Sequence, residues 1–346
     1  MPPVTGSPDA HEDWGVDLAA VAAWMDDQGL PNGPITGVRG LGGGTQNILL
    51  QYERGGSSYV LRRGPRHLRK HSNDAIRREM RVLQALAGTP VPHPAFVAGC
   101  PDIEVLGDAA FYLMEPVDGF NPTVELPPLH ADDPAVRRAM GLSAVDALVA
   151  LGAVDHTAVG LGDVGNPNGF LERQVPRWLG ELERYTALDG YSGHELPGVD
   201  LVAAWLDDHR PATWTPGLLH GDFHMANLMF RFDSPAVAAI VDWEMCTIGD
   251  PLLDLGWLLA TGGGPTSGVG DLPSPDEIVA HYASGSTRDL SSVAWYRVLA
   301  CFKLGIVLEG THARAMAGLA PMATGDLLHA TAEALLAQAL DLVKDG

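Results

Sequence analysis

Cysteine is scarce in this chain: Cys100, Cys246 and Cys301 are the only three among 346 residues. They are too few and too scattered for a disulfide framework or a thiolate zinc site, and such usage suits a reducing compartment. Basic residues are thin as well, 22 Lys and Arg against 43 Asp and Glu, for a formal net charge of -21. Phosphate backbones are bound by lysine and arginine, so this balance speaks against nucleic acid as a partner. No apolar run approaches the roughly 18 residues of a membrane span. The opening MPPVTGSPDAHEDW has neither the basic flank nor the apolar stretch of a signal peptide. A cytoplasmic protein without a membrane partner is the expectation, and its oligomeric state stays open. No internal repeat is visible. Length is plentiful: the chain exceeds the roughly 250 to 300 residues at which single cores stop growing, so two lobes are expected.

The chain is organised around LLHGDFHMANLMF, residues 218–230, and AAIVDWEMCTIGDPLLDLGW, residues 238–257. In the first stretch Asp222, His224 and Asn227 sit among glycine and apolar residues, between the short runs Gly217 to Leu219 and Asn227 to Phe232. That setting reads as a buried loop between two strands. Asp242 follows fifteen residues after Asn227, at the end of the apolar run Ala236 to Val241. A strand end is where a carboxylate can project into a cleft. Two carboxylates and one amide are the inventory of a magnesium-phosphate site. Phosphoryl transfer by kinases needs an Asp to accept the substrate hydroxyl's proton, an Asn to hold metal, and a later Asp to hold metal on the phosphates. Asp222, Asn227 and Asp242 supply these in order. A metalloenzyme using His220, Asp222 and His224 as ligands is the alternative for this stretch.

Residues 1 to 13 read as disordered, and Leu18 to Gln28 as a short helix stopped by Gly29. Three strands follow, Ile35 to Leu41, Gln46 to Tyr52 and Ser58 to Arg63, the second pair joined at Gly55-Gly56 as a hairpin. The first turn holds Gly40, Gly42, Gly43 and Gly44, followed by Thr45 and Gln46. Glycines there let backbone N–H groups come close to phosphates, and the two polar side chains add donors. By register with Val60, Arg62 points inward and Arg63 outward. Asn73 to Leu86 reads as a helix with Ile76, Met80 and Leu83 on one face, and its Glu79 is the candidate ion-pair partner of Arg62. Strands Ala95 to Cys100 and Phe111 to Met114 come next. Helices are expected at Pro134 to Gly152, Arg173 to Tyr185, Val199 to His209, Val293 to Met316 and Asp326 to Val343. Thr261 to Asp276, rich in glycine, proline and serine, reads as an exposed loop. One segment is anomalous for so acidic a chain. Between 62 and 81 stand Arg62, Arg63, Arg66, Arg69, Lys70, Arg77, Arg78 and Arg81 against Asp74 and Glu79 alone.

HGDFHMAN and IVDWE resemble the catalytic-loop and metal-binding patterns of the aminoglycoside phosphotransferase family, the kinase-like small-molecule phosphotransferases. The resemblance implies an α+β bilobal kinase-like fold: an antiparallel-sheet N-lobe with one helix, and a larger, mainly helical C-lobe. It divides the chain into an extension at 1–33, a nucleotide-binding lobe at 34–116 and a catalytic lobe at 117–346. It implies Asp222 as catalytic base and Asn227 and Asp242 as ligands of Mg2+. ATP or GTP is the implied phosphoryl donor, held by Gly42, Gly43, Gly44, Thr45, Arg62 and Glu79. MEPVDG resembles the hinge between kinase lobes, where backbone groups of Glu115 and Val117 would bind adenine. Arg62 stands where kinases usually keep lysine; it is permanently charged and bidentate toward phosphate. Asp250, in GDPLLDL, is assigned by the resemblance to support the catalytic loop. VLRR, Trp257 and the helix from Val293 resemble one branch, the kinase-like domains fused to acyl-CoA dehydrogenases. That branch implies a hydroxyacyl-CoA-type acceptor, with an antibiotic kinase or a nucleotide-binding pseudokinase as the alternatives.

Overall fold

The chain folds, in the computed structural model, into two compact units, the first dominated by an antiparallel sheet and the second by helices. One comprises Met1–Ala87 and Pro94–Pro116, the other Gly88–His93 and Val117–Gly346. The structure describes residues 14–42, 47–193, 196–262 and 268–345. The expectation of disorder at 1–13 therefore lies outside the described residues.

The first unit is a five-stranded antiparallel sheet with a helix on each face. Helix α1 (Leu18–Asp27) begins where the Asp17 carboxylate accepts from the Ala19 and Ala20 N–H groups, at 3.0 Å each. Then come β1 (Thr36–Gly40), β2 (Ile48–Arg54), β3 (Ser57–Arg63), α2 (Ser72–Leu86), β4 (Phe96–Cys100) and β5 (Phe111–Met114), in sheet order β1-β2-β3-β5-β4. Gly55 and Gly56, at φ 58° and 80°, make the turn between β2 and β3 that other residues enter only with strain. Val21, Trp24 and Met25 of α1 pack on Leu50, Tyr52, Tyr59, Leu61 and Phe111 on one face. Ile76, Met80 and Leu83 of α2 are buried as well, and α2 lies along β3, β4 and β5.

Covering both faces changes the fate of one arginine. Arg62 and Arg63 point to opposite faces of β3 as strand alternation demands, yet Arg63 is buried, not solvated. Its guanidinium donates to the Gly15 carbonyl at 2.8 Å and to those of Gly64 and Pro65, so the segment before α1 roofs it over.

The second unit is mostly helical. Its helices are α3 (Pro128–Ala131), α4 (Pro134–Gly152), α5 (Gln174–Tyr185) and α6 (Val199–Asp208), then, after the small strands, α7 (Leu252–Thr261), α8 (Pro275–Gly285), α9 (Val293–Met316) and α10 (Met322–Asp345). The strands are β6 (Gly217–Leu219), β7 (Leu228–Phe230), β8 (Val237–Ile240) and β9 (Thr247–Gly249); β6 pairs with β9 and β7 with β8. Helix α9 runs through the middle, against α5, α6, α7 and α10. At Gly256 of α7 a Cβ would lie 2.5 Å from the Tyr296 carbonyl, so the glycine permits the close approach of α7 to α9. No helix among the described residues is long and apolar enough to cross a membrane.

Candidate active site

The HGDFHMAN stretch leaves β6 and enters β7 through a short 3-10 turn, Met225–Asn227. Gly221 sits at φ 88°, and a Cβ there would lie 2.5 Å from the Met245 carbonyl; the glycine is required on both counts. Asn227 Nδ2 donates to the Asp222 carbonyl at 2.9 Å and to Asp222 Oδ2 at 3.0 Å. The two side chains are thus fixed against one another, and Oδ1 of Asn227 is the atom left for a cation. The Val241 N–H donates to the Asn227 carbonyl at 2.9 Å, so Asp242 is one residue beyond a backbone tie to the HGDFHMAN loop.

Asp242 itself has φ 68° and ψ 65°. It is one of two non-glycine residues with positive φ among the described residues. That conformation costs about 1–3 kcal/mol and persists only where its surroundings impose it. Here they do: Trp243 is buried, its Nε1 donates to the Ile240 carbonyl at 2.9 Å, and its ring packs edge-on to His220. Sequence reading placed Asp222, Asn227 and Asp242 together, and the structure brings their backbones within one hydrogen-bonded patch.

The histidines are committed to the loop. His220 is fully buried; Nδ1 accepts from the Asp222 N–H at 3.3 Å, so Nε2 carries the proton and donates to the Val241 carbonyl at 3.0 Å. Both nitrogens are spent on backbone, which removes the metalloenzyme reading of His220, Asp222 and His224. His224 Nδ1 likewise accepts from Ala226 N–H, leaving Nε2–H toward Asp222 Oδ2 at 3.4 Å. Burial alone would raise the pKa of Asp222. The hydrogen bond from His224 and the electrostatic pull of His224, His220 and Lys303 outweigh it and hold the carboxyl at about 2.

Beneath the loop lie two residues that the sequence reading passed over. Asp254 of α7 is buried, and its carboxylate accepts from the His220 N–H at 2.6 Å and the Gly221 N–H at 2.9 Å. Lys303 of α9, also buried, donates to the Gly221 carbonyl at 2.8 Å, with its ammonium 4.2 Å from the Trp257 ring centroid. Burial pushes Lys303 down to about 8, against the upward pull of Asp222 and Asp254. Burial raises Asp254, while His220, the two N–H groups and Lys303 oppose it. The support assigned to Asp250 therefore falls to Asp254. Asp250 turns away, accepting from Tyr296 Oη at 2.7 Å and capping the Leu252 N–H at 3.0 Å. Lys303 had a signal in the sequence: it is a lone charge within the apolar run LACFKLGIVL.

In the first unit, the expected partner of Arg62 is present. Arg62 Nε lies 2.7 Å from Glu79 Oε2, and Nη2 donates to Oε1 at 3.2 Å. Tyr112, cross-strand from Arg62, donates its hydroxyl to Glu79 Oε2 at 2.8 Å. Gly42 lies in the turn after β1, while Gly43, Gly44, Thr45 and Gln46 lie outside the described residues. The Glu115 N–H, in the expected hinge segment, donates to the Ala95 carbonyl at 2.9 Å. Arg62 and Arg63 are buried, and Arg77 bonds Asp74 and the Pro101 carbonyl; Arg66, Arg69, Lys70, Arg78 and Arg81 are exposed.

An antiparallel sheet with one long helix, and a helical unit with an Asp–Asn loop preceding a strand-end Asp, define a kinase-type phosphotransferase fold. Solved structures agree. A Ralstonia eutropha JMP134 protein assigned provisionally as an aminoglycoside phosphotransferase superposes with TM-score 0.80 at 28% identity, over 95% of this chain and 99% of its own. The GDP and kanamycin complex of an APH(2″) enzyme shares the fold at TM-score 0.63 and 20% identity, over 94% of this chain and 99% of its own. Residues 37–296 match the model of the phosphotransferase enzyme family, APH, and the chain belongs to that family. Among curated relatives, acyl-CoA dehydrogenase family member 11 of Gallus gallus is 30% identical over 83% of this chain. The chain spans only 38% of that relative's length.

Proposed function

We propose that this chain transfers the γ-phosphoryl group of ATP, or of GTP, to a hydroxyl of a small anionic metabolite of the hydroxyacyl-CoA type. The observation that carries the reading is the patch of Asp222, Asn227 and Asp242, fixed by the Asn227–Asp222 hydrogen bonds and by the Val241–Asn227 bond. Asp222 accepts the hydroxyl's hydrogen bond and orients its oxygen toward the γ-phosphorus. The new P–O bond forms as the bond to the β-phosphate oxygen breaks, the nucleoside diphosphate leaves with that electron pair, and the proton passes to Asp222. A carboxyl held at about 2 is a weak base, so the proton moves only as transfer proceeds, and positioning supplies most of the effect.

The donor set fits a hard divalent cation: one amide oxygen from Asn227 and carboxylate oxygens from Asp242, all oxygen ligands. When bound there, Mg2+ would offset the charge of the phosphates. Arg62, paired with Glu79, whose carboxylate also accepts from Tyr112, takes the place of lysine as the phosphate ligand of the first unit. The exposed Arg66, Arg69 and Lys70 favour a second phosphorylated ligand such as a coenzyme A thioester. The acyl-CoA dehydrogenase relatives support the same acceptor class, and the nucleotide-bound neighbour supports a purine donor.

The test is competition between acceptors. Transfer from γ-labelled ATP and GTP is measured to hydroxyacyl-CoA thioesters and to kanamycin, with Asp222→Asn as the negative variant. Transfer to the thioester should fall roughly 10²- to 10⁴-fold in Asp222→Asn, the usual worth of a positioned base. Efficient kanamycin phosphorylation without transfer to any thioester would replace the acceptor; wild-type turnover by Asp222→Asn would remove the assigned base.

A further inference from the structure

Helices α9 and α10 carry a second cluster of ligating side chains, which the phosphoryl-transfer reading does not use. Glu309 and His312 stand one helical turn apart on α9, and His329 faces them from α10. One donor atom from each of the three lies within 4.8 Å of the others. Glu309 is fully buried, His312 is 6% exposed, and His329 is half-buried.

Each group is oriented. Glu309 Oε1 accepts from Tyr191 Oη at 2.8 Å, and Oε2 lies 2.7 Å from His329 Nδ1. The two imidazoles stack with centroids 4.4 Å apart and planes 25° from parallel. Among the described residues His312 Nδ1 is buried without a hydrogen-bond partner; a carboxylate oxygen, Asp326 Oδ1, lies 3.8 Å from it, too far for a hydrogen bond. Glu333 Oε1 is 3.9 Å from His329 Nε2. More than nine in ten buried polar groups in proteins have a partner, so an orphaned ring nitrogen beside a buried carboxylate and a second imidazole asks for one.

We propose that Glu309, His312 and His329 form a binding site for a divalent transition-metal ion of the zinc class, with water as the fourth ligand. The chemistry selects the metal. Two imidazoles and one carboxylate are the borderline donor set that Zn2+ takes with tetrahedral geometry, whereas Mg2+ and Ca2+ take shells of oxygen. Tyr191 supplies the outer hydrogen bond that fixes a ligating carboxylate. Coordination replaces the proton held between Glu309 Oε2 and His329 Nδ1, turns the two imidazoles out of their stack so that both aim at one ion, and crosslinks α9 to α10. Lys303, under the catalytic loop, lies two turns earlier on the same α9.

The full chain, stripped with EDTA and kept in excess Mg2+, is titrated with Zn2+ by calorimetry and with Co2+ by visible absorption. One equivalent should bind, Co2+ should show the ligand-field bands of tetrahedral nitrogen and oxygen coordination, and Zn2+ should raise the Tm where Mg2+ does not. His312→Ala and, separately, the half-buried His329→Asn should each weaken binding by more than about 100-fold, beyond the 10- to 100-fold typical of an outer-shell partner. His281→Ala, which breaks a histidine–carboxylate pair with Asp146 elsewhere in this unit, should bind like wild type. Absence of a stoichiometric Co2+ spectrum in the wild-type chain overturns the proposal even if both variants fail to fold. Binding that survives both variants overturns it too, and leaves the cluster a hydrogen-bonded tie between helices. None of these readouts depends on phosphoryl transfer, so the site and the activity fail separately.

Discussion

Replacing Asp254 by alanine tests what holds the catalytic loop. The substitution strips two buried N–H groups, those of His220 and Gly221, of a charged acceptor at 2.6 and 2.9 Å. A hydrogen bond to a charged group is worth about 1.5–3 kcal/mol, so the loss should be roughly 3–6 kcal/mol. In a unit of this size that corresponds to a Tm lower by on the order of 10 °C. Misplacing the loop by about 1 Å costs on the order of 10²-fold in turnover. Hydrogen exchange supplies a readout independent of substrate: the amides of His220 and Gly221 should lose protection while those of β2 and β3 keep theirs. Asp254→Asn, which retains one acceptor oxygen but turns an NH2 toward the other donor, should fall between. Asp250→Asn is the control, because its carboxylate serves Tyr296 and the start of α7; it should lower Tm and leave kcat near wild type. Unchanged exchange at 220 and 221 in Asp254→Ala, or an equal loss of kcat in Asp250→Asn, would refute the assignment of loop support to Asp254.

Lys303 gives a pH signature. Its folded pKa is lowered to about 8 from 10.5, so between those values the unfolded chain binds the extra proton and stability rises with pH. From pH 7.5 to 9.5, wild type should gain roughly 2 kcal/mol relative to Lys303→Met in denaturant unfolding; parallel curves would show that Lys303 is not buried as a charged group. Asp222, lowered to about 2, has the opposite sense: its contribution is present above 3.8 and is lost as pH falls toward 2. His224→Ala should raise that pKa, seen as a carboxyl titration moving up in carbon NMR. Arg62→Met leaves the buried Glu79 without its cation and should cost about 3–5 kcal/mol in the first unit. Glu79→Gln in the same background should recover most of that loss, and a double variant no more stable than Arg62→Met would show that the pair is not the cause.

The candidate site could be picked out in the sequence because its groups are adjacent there: Asp222, Asn227 and Asp242 lie within 21 residues and carry specified neighbours. Strands and amphipathic helices were legible by period, as with α2, whose apolar residues fall on one face. Helix α7 was not, because LLDLGWLLAT is buried on every side and has no polar face to set a phase. Helix α8 was missed although Ser274-Pro275-Asp276-Glu277 spells a capping box, and the structure shows both of its reciprocal bonds. Asp254 was passed over for Asp250 because both stand in one short segment, and only the packing of α7 decides which carboxylate faces the loop. The burial of Arg63 depended on a segment some 48 residues earlier in the chain closing over it. Alternation fixes a side chain's face but not what covers that face.

The loop's backbone is clamped from below by Asp254, through the His220 and Gly221 N–H groups, and by Lys303, through the Gly221 carbonyl. Two residues that never need to meet a substrate therefore set where Asp222 stands. The motif is consequently not portable. Grafted onto another strand–loop–strand, HGDFHMAN would bring the reactive groups without their coordinates, and an engineer transplanting this chemistry would have to move α7 and the middle of α9 along with the eight residues that carry its name.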